Sequence, residues 1–179
     1  MVGKSTITAA LAEIDPRFTL LRKLKVGTGR ADEYDFVSAE HLEELREAGR
    51  LLVETRRYGN VYAIDARTVE AMAEAGEILI VHVGRVADLH QLTGSGGDWL
   101  RVRFWVPREV CEQRSRSRGD PDTGKRLQAW DEAQADFDAH AEAAAFDLSI
   151  STQDAEAVAV AREIAGALAA LAAEGRGPG

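Results

Sequence analysis

The stretch 1-MVGKSTITAALAEI-14 decides how the rest of the chain is read. Gly3-Lys4-Ser5-Thr6, followed by apolar residues at helical spacing, has the form of the second half of a G-x-x-x-x-G-K-[ST] loop. In such a loop backbone N–H groups and a helix N-terminus cradle phosphates, the Lys reaches the β- and γ-phosphates, and the hydroxyl binds Mg²⁺. Gly3, Lys4, Ser5 and Thr6 are therefore candidate ATP-binding residues, and Ser5 is also a candidate Mg²⁺ ligand. Only Met1 and Val2 precede them. The first glycine of the loop and the run of about five apolar residues that delivers it are expected in frame upstream of Met1. Taken alone, the four residues also fit an exposed lysine at an ordinary helix start, so the rest of the chain has to decide between the two.

Composition narrows the classes of function. A chain of 179 residues that is 45% hydrophobic and 29% charged is expected to form one domain over residues 1–174, with 175–179 as a frayed tail. A formal net charge of -8 argues against a general nucleic-acid or membrane-surface binder, since phosphate backbones and anionic lipids repel an acidic surface. The single cysteine, Cys111, excludes an intramolecular disulfide and suits a reducing compartment. It reads as a packed small residue on a helix. No long uncharged apolar run marks a signal peptide or a membrane span, and a cytoplasmic protein is expected.

Helical and strand-like patterns alternate outward from the opening helix. Residues 4–14 read as a helix, 18–26 as a strand, and 38–48 as a helix with Ser38 as N-cap and Gly49 as its stop. "RLLVET" and "NVYAI" flank a turn at Arg57-Tyr58-Gly59. Asp65 can cap a helix running to Ala75, stopped by Gly76. "EILIVHV" (77–83) and "LRVRFWV" (100–106) read as strands buried on both faces, as in a parallel sheet. Helices follow over 85–92, 108–118, from the "GDPDTG" break to Ala145, and 154–173, with the strand "FDLSIS" before the last. Strands alternating with helices predict an α/β domain with a parallel sheet.

Four stretches occur in a telling order: "GKST", "EYDFVS", "YGNVY" and "RSRSRGDPDTGKRL". Together they resemble the guanylate kinase family of P-loop nucleoside monophosphate kinases, over nearly the whole chain. The resemblance implies a three-layer P-loop kinase fold, with an acceptor-binding insertion over about residues 22–64 and an arginine-rich lid over about 114–127. Counting back from Tyr34, Arg22 and Lys25 fall on the two basic positions of the family's Thr-Thr-Arg-x-x-Arg motif, which holds the acceptor phosphate. Tyr34 and Tyr62 match its phosphate-binding tyrosines. In the lid, Arg114, Arg118 and Arg126 match the arginines that stabilise the transferring phosphoryl group, and with Lys4 they are the candidate catalytic residues. Each residue separately also fits a bland role, as a surface cation or a half-buried aromatic with a wet hydroxyl.

Departures from that family bear on the acceptor. Ala63 and Ile64 follow Tyr62, where a small hydroxyl is expected. "HVGR" (82–85) ends the strand without an Asp, so a Walker-B-like carboxylate is unassigned. Glu54 resembles the guanine-binding Glu, but ungapped counting puts Val53 there, and a one-residue slip on a strand turns the side chain to the other face. "IVHVGRVADL" is similar to the corresponding segment of ribose 1,5-bisphosphate kinases, which implies that Arg85 contacts a sugar phosphate. The implied function is ATP- and Mg²⁺-dependent phosphoryl transfer to a phosphorylated small molecule, with GMP the leading acceptor. The alternatives are a sugar-phosphate kinase and a non-catalytic binding module.

Overall fold

The computed structural model describes residues 3–29, 31–119, 121–140 and 146–175. Met1 and Val2, and residues 176–179 of the expected tail, lie outside the described residues. The chain divides into two compact units, one of Met1–Ile14, Gly84–Val86 and Asp98–Gly179, the other of Asp15–Val83 and Ala87–Gly97.

In the first unit, helix α1 (Lys4–Ile14) begins where Gly3 O accepts the Ile7 N–H at 3.0 Å. Its buried residues Ile7, Ala10 and Leu11 are spaced to give one apolar stripe. That stripe belongs to a helix packed on the C-terminal helix Ala157–Glu174, whose own buried residues are Val160, Ala161 and Ile164. The unit also holds a parallel strand pair, Val102–Trp105 with Leu148–Ser151, and two further helices, Arg108–Ser117 and Thr123–Ala139. The expected extension of the second of these to Ala145 falls on residues 141–145, which lie outside the described residues. Among the described residues no helix is long and apolar enough to cross a membrane.

The second unit has two sheets. Numbered in chain order, its strands are β1 (Phe18–Leu20), β2 (Lys23–Val26), β3 (Tyr34–Phe36), β4 (Leu51–Arg57), β5 (Asn60–Asp65) and β6 (Ile78–Ile80), so the first unit's pair becomes β7 and β8. β1 and β6 pair in parallel, and the other four form a mixed sheet in the order β3-β2-β5-β4. Helix α2 (Ala39–Glu47) is capped by Ser38, whose side chain accepts the His41 N–H, and α3 (Ala66–Glu74) by Asp65, which accepts that of Arg67. Gly49 and Gly76, at φ 66° and 76°, end them. The β4–β5 turn is Tyr58-Gly59, both left-handed at φ 52° and 74°, the geometry of a two-residue hairpin turn. Helix α4 (Val86–Gly94) precedes the first unit's later helices, α5 (Arg108–Ser117), α6 (Thr123–Ala139) and α7 (Ala157–Glu174).

Two expectations need correction. Residues 18–26 are not one strand but β1 and β2, in different sheets. Their buried residues Phe18, Leu21 and Lys25 are spaced by three and four, which no single strand of period two produces. Strands β6 and β7 are not buried on both faces: Ile78–Ile80 are half-buried and Trp105 is exposed. Among the described residues each has a strand neighbour on one side only. The parallel pairing of β1 with β6 and of β7 with β8 is what an α/β fold requires.

Candidate active site

The residues expected to hold ATP lie at the start of α1. Lys4, Ser5 and Thr6 form its exposed first turn, and nothing lies within 4 Å of where a Gly3 Cβ would be. First-turn N–H groups have no intrahelical acceptor, so this end is suited to an anion. Ser5 is the candidate Mg²⁺ ligand there. Among the described residues no group of three His, Cys, Asp or Glu could hold a metal. Mg²⁺ bound to a nucleotide takes most of its ligands from phosphates and water, and a single hydroxyl fits that role.

The three candidate lid arginines differ from one another. Arg114, on α5, donates from Nη2 to Thr152 O and Gln153 O, both at 2.6 Å, and so ties α5 to the turn after β8. Arg118 caps α5 and donates from Nε to Arg114 O. Arg126, in the first turns of α6, is exposed. The two helices are fastened to each other: Ser115, 0% exposed, donates from Oγ to Thr123 Oγ1 at 3.1 Å, and Asp122 caps α6 by accepting the Lys125 N–H. Arg85, at the entry to α4, is exposed, and the adjacent Val86 N–H donates to Asp136 Oδ2 of α6.

In the second unit the mixed sheet brings Lys25, Tyr34 and Tyr62 together. Lys25 stands opposite Phe36 on β3 and opposite Tyr62 on β5. Opposed residues share a face, as do Tyr34 and Phe36 at i and i+2. The Lys25 ammonium consequently lies 4.9 Å from the ring centre of Tyr34, 5.1 Å from that of Phe36 and 5.4 Å from that of Tyr62. The two tyrosine rings are 5.2 Å apart, tilted by 54°. Lys25 is only 4% exposed, and among the described residues no carboxylate pairs with it. The rings' negative faces partly replace water around the cation, but a buried ammonium is best compensated by an anion. Gly29, at φ 107°, brings its backbone so close that a Cβ there would sit 3.3 Å from the Lys25 Nζ. Burial raises the Tyr34 pKa, with the charges of Tyr62 and Glu33 adding to the effect, so its phenol stays a hydrogen-bond donor at neutral pH.

Arg22 and Glu54 are placed differently. The Arg22 guanidinium donates to Asp35 Oδ1 (2.7 Å), Asp32 O (2.8 Å), Ala31 O (3.0 Å) and Tyr34 O (2.7 Å), wrapping the segment that leads into β3. Glu54 stands opposite Ala63, one residue out of phase with the Thr55–Tyr62 pair, and so lies on the other face of the sheet from Lys25. Val53, on the Lys25 face, is buried. Both Glu54 carboxylate oxygens accept from Arg46 of α2 at 2.8 Å, and this fork holds the Glu54 pKa below the ordinary carboxylate value. The sheet therefore does not bring Glu54 together with the cage around Lys25. Phe36 and Glu33 were missed in the sequence. Phe36 is legible as the residue two positions after Tyr34, whereas Glu33 stands out through its charge near Tyr34 and its contact with His82, whose Nδ1 lies 3.3 Å from Glu33 Oε2.

Comparison with known proteins identifies the lineage. The chain is 28% identical over 174 residues to a guanylate kinase of Trichormus variabilis and 29% identical over 174 residues to one of Nostoc sp.. In each case 92% of this chain and 83% of the relative are covered. The crystal structure of guanylate kinase from Anaplasma phagocytophilum matches with a TM-score of 0.64 at 19% identity, covering 93% of this chain and 80% of that one, and shows a shared fold. A family model described as chloramphenicol phosphotransferase-like protein matches residues 2–169. The chain belongs to that chloramphenicol phosphotransferase-like family, and is a guanylate kinase-like P-loop phosphotransferase.

Proposed function

We propose that the protein moves the γ-phosphoryl group of ATP onto a small molecule that already carries a phosphate, with GMP the leading acceptor. The observation that carries this is the buried Lys25 ammonium, ringed by Tyr34, Phe36 and Tyr62 and paired with no carboxylate among the described residues. An acceptor phosphate would take the ammonium as counter-charge and the two phenols as donors. One of its oxygens attacks the γ-phosphorus while the bond to the β,γ-bridging oxygen breaks and ADP departs. A phosphate dianion needs no proton removed, so the protein's part is positioning and charge neutralisation. The first turn of α1 and Lys4 hold the ATP phosphates, and Arg114, Arg118 and Arg126 offset charge on the transferring group. Mg²⁺, held through Ser5, would supply further neutralisation of the phosphate oxygens. A cytoplasmic site of action belongs to the same proposal.

A second reading is an acceptor without a phosphate, as the name chloramphenicol phosphotransferase says of that enzyme. It is favoured by the engagement of Arg22 and Glu54 with other groups of the protein. Steady-state ADP release with GMP, other nucleoside monophosphates, ribose bisphosphates and chloramphenicol separates the two. The proposal expects the highest kcat/KM with GMP. Turnover of chloramphenicol with none of any phosphorylated acceptor overturns it, and no turnover of any acceptor, together with no ATP binding, marks a binding module.

A further inference from the structure

Arg22 sits where the resemblance implies a ligand for the acceptor phosphate, yet its donors are directed at the protein itself. Nε meets the Asp35 carboxylate, Nη1 meets Asp32 O, and Nη2 meets Ala31 O and Tyr34 O. A guanidinium carries its five N–H donors in one fixed plane, so turning it toward an acceptor phosphate would break several of these bonds. Asp35 alternates along β3 with Tyr34 and Phe36 and therefore occupies the face opposite the Lys25 cage. Arg22 thus grips β3 from its far face and at the backbone of Tyr34.

That grip decides where two walls of the cage stand. β3 is three residues long and pairs only with β2 among the described residues. An edge strand this short has little ladder to hold it. Beside the ladder, the Tyr34 N–H donates to Ala31 O at 3.1 Å and the Val37 N–H to Lys25 O at 3.0 Å. The four Arg22 bonds add a clasp between the start of β2 and the whole segment from Ala31 to Asp35.

We infer that Arg22 is a positioning residue, which sets Tyr34 and Phe36 around Lys25, and that Lys25, not Arg22, is the cation that meets the acceptor. This rests on the acceptor site proposed above. The two roles for Arg22 differ most clearly in what removing its carboxylate partner does. If Arg22 is a phosphate ligand, Asp35→Asn frees the guanidinium and deletes a nearby negative charge, so an anionic acceptor binds as well or better. If Arg22 is a clasp, Asp35→Asn loosens β3 and binding weakens.

The test is GMP titration by calorimetry of the wild-type chain, Asp35→Asn, Arg22→Ala and Arg22→Lys, with an ultraviolet titration of the tyrosine phenols of each. We expect GMP binding to weaken about tenfold in Arg22→Ala, the scale of one charge-assisted hydrogen bond, and by a smaller factor in the same direction in Asp35→Asn. Arg22→Lys should recover only part of the loss, because an ammonium cannot span four acceptors. In Arg22→Ala and Asp35→Asn the high-pKa phenol of Tyr34 should move down toward ordinary tyrosine as its burial is lost. Asp35→Asn binding GMP as tightly as wild type, or more tightly, overturns the inference. So does a tyrosine titration unchanged in both Asp35→Asn and Arg22→Ala. The phenol readout needs no acceptor, so a wild-type chain that does not bind GMP overturns the acceptor proposal while the clasp is still tested. Should Arg22→Ala fail to fold, Asp35→Asn alone gives both readings.

Discussion

Replacing Lys25 by methionine separates what the cage does for the fold from what it does for an acceptor. Methionine keeps the length and most of the volume of the side chain, and its thioether can rest against the same three rings. Wild type gains from three ammonium–ring contacts at 4.9, 5.1 and 5.4 Å, but carries the cost of holding a charge at 4% exposure. Each ring contact contributes roughly 0.5–2 kcal/mol, a sum comparable to the desolvation cost of one partly compensated cation. Methionine forfeits both terms and regains about 0.3–1.5 kcal/mol from each sulfur–ring contact. Thermal unfolding should therefore change by no more than a few degrees, in either direction. An acceptor anion loses a charge-assisted hydrogen bond of about 1.5–3 kcal/mol, which raises its KM about 10- to 150-fold. Calorimetric unfolding and steady-state kinetics on the same preparation measure the two effects. A variant that melts far earlier while its acceptor KM is unchanged would show that Lys25 serves the core and that no anion meets it.

Three further outcomes follow from the geometry. Arg126→Ala, on the exposed side of α6, should lower kcat about 100-fold with little change in ATP affinity or melting temperature, checked by steady-state kinetics and nucleotide titration. Arg114→Ala should also destabilise the fold, by about 2 kcal/mol or about 4–8 °C in Tm, because it breaks two bonds to Thr152 O and Gln153 O. Glu54 has a folded pKa held below its ordinary value of 4.5 by Arg46, so its contribution to stability is complete above that value and is lost as pH falls below it through the depressed folded pKa. Melting temperature measured against pH should accordingly fall less steeply below pH 4.5 in Glu54→Gln than in wild type.

Much of the fold was legible because its signals are local. The caps Ser38 and Asp65, the stops at Gly49 and Gly76 and the turn before Asn60 act within one or two turns of chain, and the structure has each in place. The division of residues 18–26 was not anticipated because strand propensity runs through Leu21 and Arg22 without a break. What separates β1 from β2 is long-range, since β1 pairs with β6 near residue 79 and β2 with β5 near residue 62. At the site, the spacing of Lys25, Tyr34 and Tyr62 against the family pattern pointed to residues that the sheet does bring together. Sequence could not show that Arg22 is directed toward β3, because its partners are mostly backbone carbonyls, which every residue offers. The ambiguity between Val53 and Glu54 was one of register, settled by the pairing of Glu54 with Ala63 and of Thr55 with Tyr62. Phe36 lies inside the "EYDFVS" motif without matching a phosphate-binding position, yet its period-two relation to Tyr34 places it on the same face.

The most direct measurement of the central claim is phosphorus NMR of the protein incubated with ATP, Mg²⁺ and GMP, followed until ATP is depleted. Transfer to the acceptor phosphate predicts GDP and ADP rising together in equal amounts, with no inorganic phosphate and no reaction when GMP is left out. ADP appearing with inorganic phosphate at the same rate with and without GMP, and no GDP, would contradict the account.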